Sequence, residues 1–243
     1  MNFRASQNIS LIKNTALFSN LKDDELNEIL KNSQIIYRKK GEMIFFAEEK
    51  VLNFYVILAG TVKVFATNED GAQTILQMIG AGKFINDIFL QTLQVNAQAV
   101  SDCTILSIQI AEMQKFTKNN LNLTHNLLRE TAEKNADLSD QIARLRLTNS
   151  KQKVGQFLLK MAFQNSHKKA ELIELEYDKA DLASYLGINP ETLSRTLQKL
   201  KNDGEIEVEK NKIILKEQSL CNYCDSKISA KCVHHKSDFC KQD

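Results

Sequence analysis

The chain contains a single proline, Pro190, three residues after Gly187, and this pair confines residues 178–216 to very few folds. Proline has no N–H to donate, so a helix tolerates it only in the first turn. Glycine can adopt the left-handed backbone that ends a helix. Gly187-Ile188-Asn189-Pro190 therefore marks a helix end, a tight connection and a helix start. Upstream, Asp178 is placed as the N-cap of a helix over Lys179–Leu186, with Asp181 three residues on in the manner of a capping box. Leu182, Ala183 and Leu186 give this helix one apolar face, and Ile188 turns back to the core. Asn189 is expected to cap the second helix. That helix buries Leu193, Leu197 and Leu200 and presents Glu191, Ser194, Arg195 and Gln198 on its other side. After Gly204, Glu205–Glu209 and Lys212–Lys216 read as two strands of a small wing around Lys210-Asn211.

A helix pair joined by so short a turn is suited to laying its second helix in a major groove. The exposed face has the matching chemistry. An arginine can fork onto O6 and N7 of guanine, a glutamate can accept from the amino group of cytosine, and a serine adapts to either neighbour. Glu191, Thr192, Ser194, Arg195, Gln198 and Lys199 are the candidate DNA contacts. A protein-binding corner with incidental charges would not need the turn glycine, the proline start and the wing together. Net charge is only +2, so gross electrostatics announces no nucleic-acid binder. The charge is local: Lys151–Ala170 holds five lysines and no acid, which beside a reading helix suits phosphate contacts.

The first hundred-odd residues read as many short strands. Ile35–Tyr37, Glu42–Phe46, Phe54–Leu58, Thr61–Ala66, Thr74–Ile79, Ala97–Val100 and Thr104–Ile108 are rich in β-branched and aromatic residues. Turn signals at Gly41, Ala59-Gly60, Asp70-Gly71 and Gly80-Ala81-Gly82 separate them, which suggests a sandwich or double-stranded roll. A helix around Asp23–Lys31 leads in. Cys103, alone in a strand, reads as a buried apolar residue.

Residues 178–216 together with this β-rich region resemble the CRP/FNR family of bacterial transcription regulators, over nearly the whole chain to about residue 218. The Glu191–Ser194–Arg195 trio, E-x-x-S-R, looks like the FNR branch; the cyclic-AMP receptor branch carries glycine where this chain has Ser194. The resemblance implies a TTGA-type half-site within an inverted repeat, and RNA polymerase as a partner. Gly41–Phe46 and Phe54–Val64 look like the family's cyclic-nucleotide-binding roll. In that roll a Gly-Glu pair and a following Arg-Ser pair hold the ribose and the cyclic phosphate. Here the stretch is Phe84-Ile85-Asn86-Asp87-Ile88, and no arginine occurs between Arg38 and Arg129. A buried phosphate without a cation is strongly disfavoured, which argues against cyclic AMP.

Between the two regions Leu121, Leu128, Asn135 and Ile142 recur every seven residues, with Thr124, Thr131, Leu138 and Leu145 three positions later. This is an a/d seam, and Asn135 within it is a device that sets register and favours a dimer. One amphipathic helix lying on its own barrel is the competing reading. The dimer is preferred because reading helices of this kind come in pairs, with half-sites about one helical turn apart. The seam's threonines weaken it, as suits an interface that responds to a signal.

Four of the five cysteines follow Leu220: Cys221, Cys224, Cys232 and Cys240. Such clustering in a cytoplasmic chain points to metal binding or redox chemistry more than to a disulfide framework. Four thiolates suit either a [4Fe–4S] cluster or tetrahedral zinc, and spacing does not choose. A smaller branch of the family places a cluster-binding cysteine group after the wing, with an aspartate of the dimer helix completing the set. On that resemblance Asp137 or Asp140 becomes a candidate fourth ligand beside Cys240, with His234 and His235 as further alternatives. The expected signal is oxygen, nitric oxide or redox state, acting on the Leu121–Leu145 seam. Haem in the roll, as in another sensing branch, wants an axial ligand, and the nearest histidine is His125. A structural zinc tail with a small-molecule or haem effector in the roll is the alternative.

No phosphate loop, nucleophile elbow or paired catalytic carboxylates mark an enzyme. A thiol oxidoreductase would need Cys221-x-x-Cys224 at a helix N-terminus, whereas this pair follows a wing strand. No apolar run approaches the roughly 20 residues that span a bilayer, and no signal peptide opens the chain, so a cytoplasmic protein without membrane attachment is expected. The expected fold is α+β: a cyclic-nucleotide-binding-type β-roll over 1–118, a dimerisation helix over 119–149, a winged helix-turn-helix over 150–218 and a Cys-rich metal-binding tail over 219–243.

Overall fold

Seven strands form in the N-terminal region at the places where the sequence pattern put them, with glycines in four of the six connections. The computed structural model describes residues 9–89, 92–147, 149–164, 172–174, 178–209, 212–216 and 223–224. The chain forms two compact units, Met1–Ser139 and Asp140–Asp243, each with its own core.

In the first unit, helices α1 (Ile9–Lys13) and α2 (Asp23–Lys31) precede strands β1 (Ser33–Arg38), β2 (Met43–Phe45), β3 (Asn53–Ala59), β4 (Val62–Thr67), β5 (Gln73–Ile79), β6 (Asn96–Ala99) and β7 (Cys103–Gln109). They make two antiparallel sheets, one ordered β1-β7-β3 and the other β2-β6-β4-β5. Side-chain alternation divides the core between them. Phe54, Val56 and Leu58 of β3, with Leu106 and Ile108 of β7, face the helices and meet Leu17, Leu26 and Ile29. Ile57, Cys103 and Ile105 point the other way, onto Val62, Val64, Ile79 and Ala97 of the second sheet. β3 is buried on both faces, which explains its nearly unbroken apolar run Phe54–Ala59, and β7 likewise sends buried residues to both sides. Cys103 is buried, its S–H within reach of the carbonyls of Thr61 (3.3 Å) and Ser101 (3.2 Å). Gly60 has a φ of +86°, and a Cβ there would meet the Cys103 sulfur and the Asp102 carbonyl. No larger residue fits this β3–β4 turn.

Two helices follow. The strand β7 runs directly into α3 (Ile110–Asn119), which the sequence pattern did not show, and α4 (Leu121–Leu147) is the long helix. One face of α4 is fixed to the β-roll. Leu123 is fully buried, and Asn126, also buried, donates to the carbonyls of Leu17 (3.1 Å) and Ser19 (2.7 Å). Lys83 pairs with Glu130 at 2.7 Å and with Glu133 at 3.0 Å. The two readings of this helix are therefore not exclusive: it lies on its own roll and still leaves its heptad seam outward.

After the last turns of α4, the second unit holds α5 (Ser150–Gln164), then β8 (Leu172–Glu174), α6 (Lys179–Leu186), α7 (Pro190–Asn202), β9 (Ile206–Glu209) and β10 (Lys212–Leu215). The wing has three strands, not the two expected, ordered β8-β10-β9. Val154, Leu158, Leu182, Leu193, Leu200, Ile206 and Ile213 are buried in this unit. The expected wing turn Lys210-Asn211 lies outside the described residues. No helix among the described residues is long and apolar enough to cross a membrane.

Candidate nucleic-acid interface

The helix pair is built as its local chemistry requires. Asp178 has extended backbone and its carboxylate accepts the N–H of Asp181 at 3.0 Å. Gly187 takes a φ of +61°, its N–H returns to Ser184, and the Ile188 N–H reaches the Ala183 carbonyl at 3.0 Å. These bonds satisfy the last carbonyls of α6. Asn189 holds the cap position of α7 with extended backbone, but its side chain makes no capping bond. The expected side-chain cap is thus corrected: with Pro190 at N1 there is one N–H fewer to satisfy, and the Asn189 carbonyl accepts from Leu193 at 3.0 Å.

On α7, Leu193, Leu197 and Leu200 are buried, whereas Glu191, Ser194, Arg195, Gln198 and Lys199 are exposed. Thr192 is half-buried, and its carbonyl accepts the Thr196 hydroxyl at 2.7 Å. Gln198 donates to Asn202 at 2.8 Å, a bond it would have to exchange to reach a base. Among the described residues neither Glu191 nor Arg195 has an ion-pair partner, so their hydrogen-bonding capacity is turned outward.

Lys151 is the point where sequence reasoning misplaced a charge. The stretch from Lys151 suggested phosphate contacts, but this ammonium is bound 2.6 Å from Asp203 and 2.7 Å from Glu205. Asp203 is the C-cap of α7 and Glu205 precedes β9, so one lysine ties α5 to both. Bonds from Asp203 and then Glu205 raise the lysine above its ordinary 10.5, and the bond from Lys151 holds Asp203 below its ordinary 3.8. A raised lysine contributes fully below 10.5, and a lowered aspartate above 3.8, so the clamp holds through the whole neutral range. Nothing in the local sequence signalled it, because the partners lie more than fifty residues apart.

The seam residues of α4 are presented outward. Leu121 is 87% exposed, Leu128 68% and Ile142 56%. Thr131 and Asn135 are exposed and Leu138 half-buried; the Leu145 side chain lies outside the described residues. Three large apolar side chains on one stripe are an unusual surface for a lone helix.

The segment Phe84–Ile88 is packed from within. Phe84, Ile85 and Ile88 are buried, with Phe84 5.2 Å from the Phe54 ring. Buried Asn86 bridges β3 by accepting from Tyr55 N–H (3.0 Å) and donating to the Asn53 carbonyl (2.8 Å). Lys134 of α4 donates to the Ile85 carbonyl at 3.0 Å and lies over the Phe84 ring. Burial lowers its pKa, with Asp87 partly opposing. The cation brought here is thus spent on a carbonyl and a ring.

Of the four tail cysteines only Cys224 lies among the described residues, half-buried beside buried Tyr223. Cys221, Cys232, Cys240, His234 and His235 lie outside them. Among the described residues no group of three or more His, Cys, Asp or Glu could hold a metal ion; Asp137 and Asp140 are not part of one.

Comparison with known proteins decides the family. Residues 35–120 match the model of the cyclic nucleotide-binding domain, and residues 152–223 match the Crp-like helix-turn-helix domain, together well over half of the chain. This chain belongs to the CRP/FNR family. Among curated members, Electron transport regulator A of Shewanella oneidensis is 26% identical over 196 residues, covering 79% of this chain and 78% of its own. The nitrogen fixation regulation protein FixK of Bradyrhizobium diazoefficiens is 25% identical over 202 residues, 81% of this chain and 84% of its own. The solved structure of FixK2 from Bradyrhizobium japonicum superposes with a TM-score of 0.73 at 22% identity, over 80% of this chain and 98% of that one, so the fold is shared. The chain is a DNA-binding transcription regulator of CRP/FNR type, and regulators of that family bind double-stranded DNA as dimers.

Proposed function

We propose that the chain is an FNR-type regulator that reads a TTGA-type inverted repeat as a homodimer. In this reading Glu191, Ser194 and Arg195 contact bases, with Thr192, Gln198 and Lys199 flanking. The observation that carries it is the outward Glu191–Ser194–Arg195 face, without an ion-pair partner among the described residues, on a helix whose other side is locked into a core. Two such helices, held by the Leu121–Leu128–Asn135–Ile142 stripe, would meet half-sites about one helical turn apart. RNA polymerase in the cytoplasm is the expected partner of the bound dimer. Selection from random duplexes with the full chain tests this reading. It should enrich an inverted repeat; enrichment of a lone half-site, or of nothing, contradicts it.

The signal is assigned to the tail. Cys221, Cys224, Cys232 and Cys240, or three of them with Asp137, Asp140 or a histidine, would hold a [4Fe–4S] cluster, with zinc as the alternative. A cluster would supply sensitivity to oxygen, nitric oxide or redox state. Two relatives named for regulating electron transport and nitrogen fixation support a metabolic signal of this kind. Cyclic AMP is left out because Phe84, Ile85 and Asn86 are committed to the core and bring no guanidinium to it. Absorbance of anaerobically purified protein decides the cofactor: a broad visible band that bleaches in air supports the cluster. A sharp Soret band indicates haem instead, and a colourless protein with stoichiometric zinc overturns the oxygen-sensing reading.

A further inference from the structure

Tyr223 stands between the first two tail cysteines, in Cys221-Asn222-Tyr223-Cys224, and is only 8% exposed. Its ring lies on Gly155 of α5 so closely that a Cβ at position 155 would run into it. Glycine in a helix interior is less favourable than alanine by about 1 kcal/mol, so its presence there calls for a packing reason, and the ring supplies one. One turn earlier on α5, the Lys151 ammonium lies 5.9 Å from the centre of the same ring. Burial raises the Tyr223 phenol, with neighbouring Lys151 opposing that rise and Glu205 adding to it.

Lys151 in turn holds Asp203 and Glu205, and Asp203 closes α7. The Asp203 N–H bonds to the Lys199 carbonyl at 2.8 Å, and the Glu205 N–H bonds to Leu200 at 2.9 Å. Tail, ring, ammonium and the end of the reading helix are thus in continuous contact. The ring is seated on the elements that position Arg195, in the DNA-reading unit itself.

We propose that Tyr223 is the positioning residue through which the tail thiols act on the reading helix. A group held at Cys224 shifts the ring on Gly155, and the Lys151 clamp carries that shift to the C-terminal end of α7. The inference rests on the reading that the tail thiols carry the signal, but not on which metal they hold.

The test uses the full chain, with N-ethylmaleimide on the tail thiols as the probe, modification of Cys224 followed by peptide mass, and DNA affinity measured before and after. In the parent protein, modification should change affinity by about tenfold, the usual size of such couplings. In Tyr223→Ala and Gly155→Ala, at equal modification of Cys224, most of that change should vanish. Tyr223→Phe, which keeps the ring, should retain most of it. A role in packing alone would alter the starting affinity and leave the response to modification untouched. The proposal is overturned if the parent's affinity ignores modification, or if the alanine variants respond as the parent does. Metal content of the same preparations separates the two readings. Any metal is counted first and then removed by chelation to free the thiols. Protein that held no metal but responds through Tyr223 sinks the metal assignment alone, whereas protein that held metal and, once chelated and modified at Cys224, shows no response sinks the Tyr223 route alone.

Discussion

Leu128→Glu should leave each protomer folded and separate the dimer. Leu128 is 68% exposed and makes no part of either core, so the substitution removes nothing that holds a single chain together. In a parallel seam, however, the a-position residues of two helices face each other. Two glutamates brought together out of water cost several kcal/mol, and the two leucines lose their mutual burial. A loss of roughly 3 kcal/mol would weaken dimerisation on the order of a hundredfold, and DNA affinity would fall with it, because one reading helix alone has half the contacts. Analytical ultracentrifugation and a binding assay at fixed concentration report both quantities. An unchanged dimer would mean that the outward stripe is not the interface.

Lys83→Met should produce the second large effect, this time on stability. The Glu130 side chain is 3% exposed, and Lys83 is 2.7 Å from it. Removing one partner from a buried pair leaves the other charge uncompensated, which typically costs about 3–5 kcal/mol. Lys83 is itself half-exposed and water can reach the site, so a loss of about 2–3 kcal/mol is expected. Burial works against the charge of Lys83, but its bonds to Glu130 and Glu133 outweigh it and raise the lysine above 10.5. The pair's contribution is therefore complete below 10.5 and is lost as pH climbs through the raised value. Denaturant unfolding near neutral pH measures the loss. The double variant Lys83→Met/Glu130→Leu, which removes both charges, should recover most of it. If Lys83→Met unfolds like the parent, the pair does not hold α4 to the roll.

Both effects fall on one helix, and they show how far sequence could be read. The heptad pattern identified the outward stripe of α4 because that stripe is apolar and periodic. The opposite face escaped, since much of it is polar: Asn126, Glu130 and Lys134 are held by carbonyls and by a lysine from distant segments. Hydrophobic periodicity does not register such contacts. The strands were legible because they are rich in β-branched and aromatic residues and glycines mark four of their six connections, whereas α3 was missed because β7 passes into it at Gln109-Ile110 with no glycine or proline between. The third wing strand was missed for a different reason. Leu172–Glu174 is three residues long and becomes a strand only by pairing with β10. The outward residues of α7 were legible, since turn, proline and leucine spacing fix that helix's rotation. Lys151 and Tyr223 were not, for their significance lies entirely in partners far along the chain.

If the exposed face of α7 reads bases, Arg195 must discriminate between them. The direct measurement is the affinity of the parent and of Arg195→Ala for the selected site and for each of its single-base variants. Arg195→Ala should lose about 1–3 kcal/mol on the preferred site, with discrimination relaxed at one position in each half-site. Equal weakening on every sequence, with the base preference intact, would make Arg195 a phosphate contact and contradict the account.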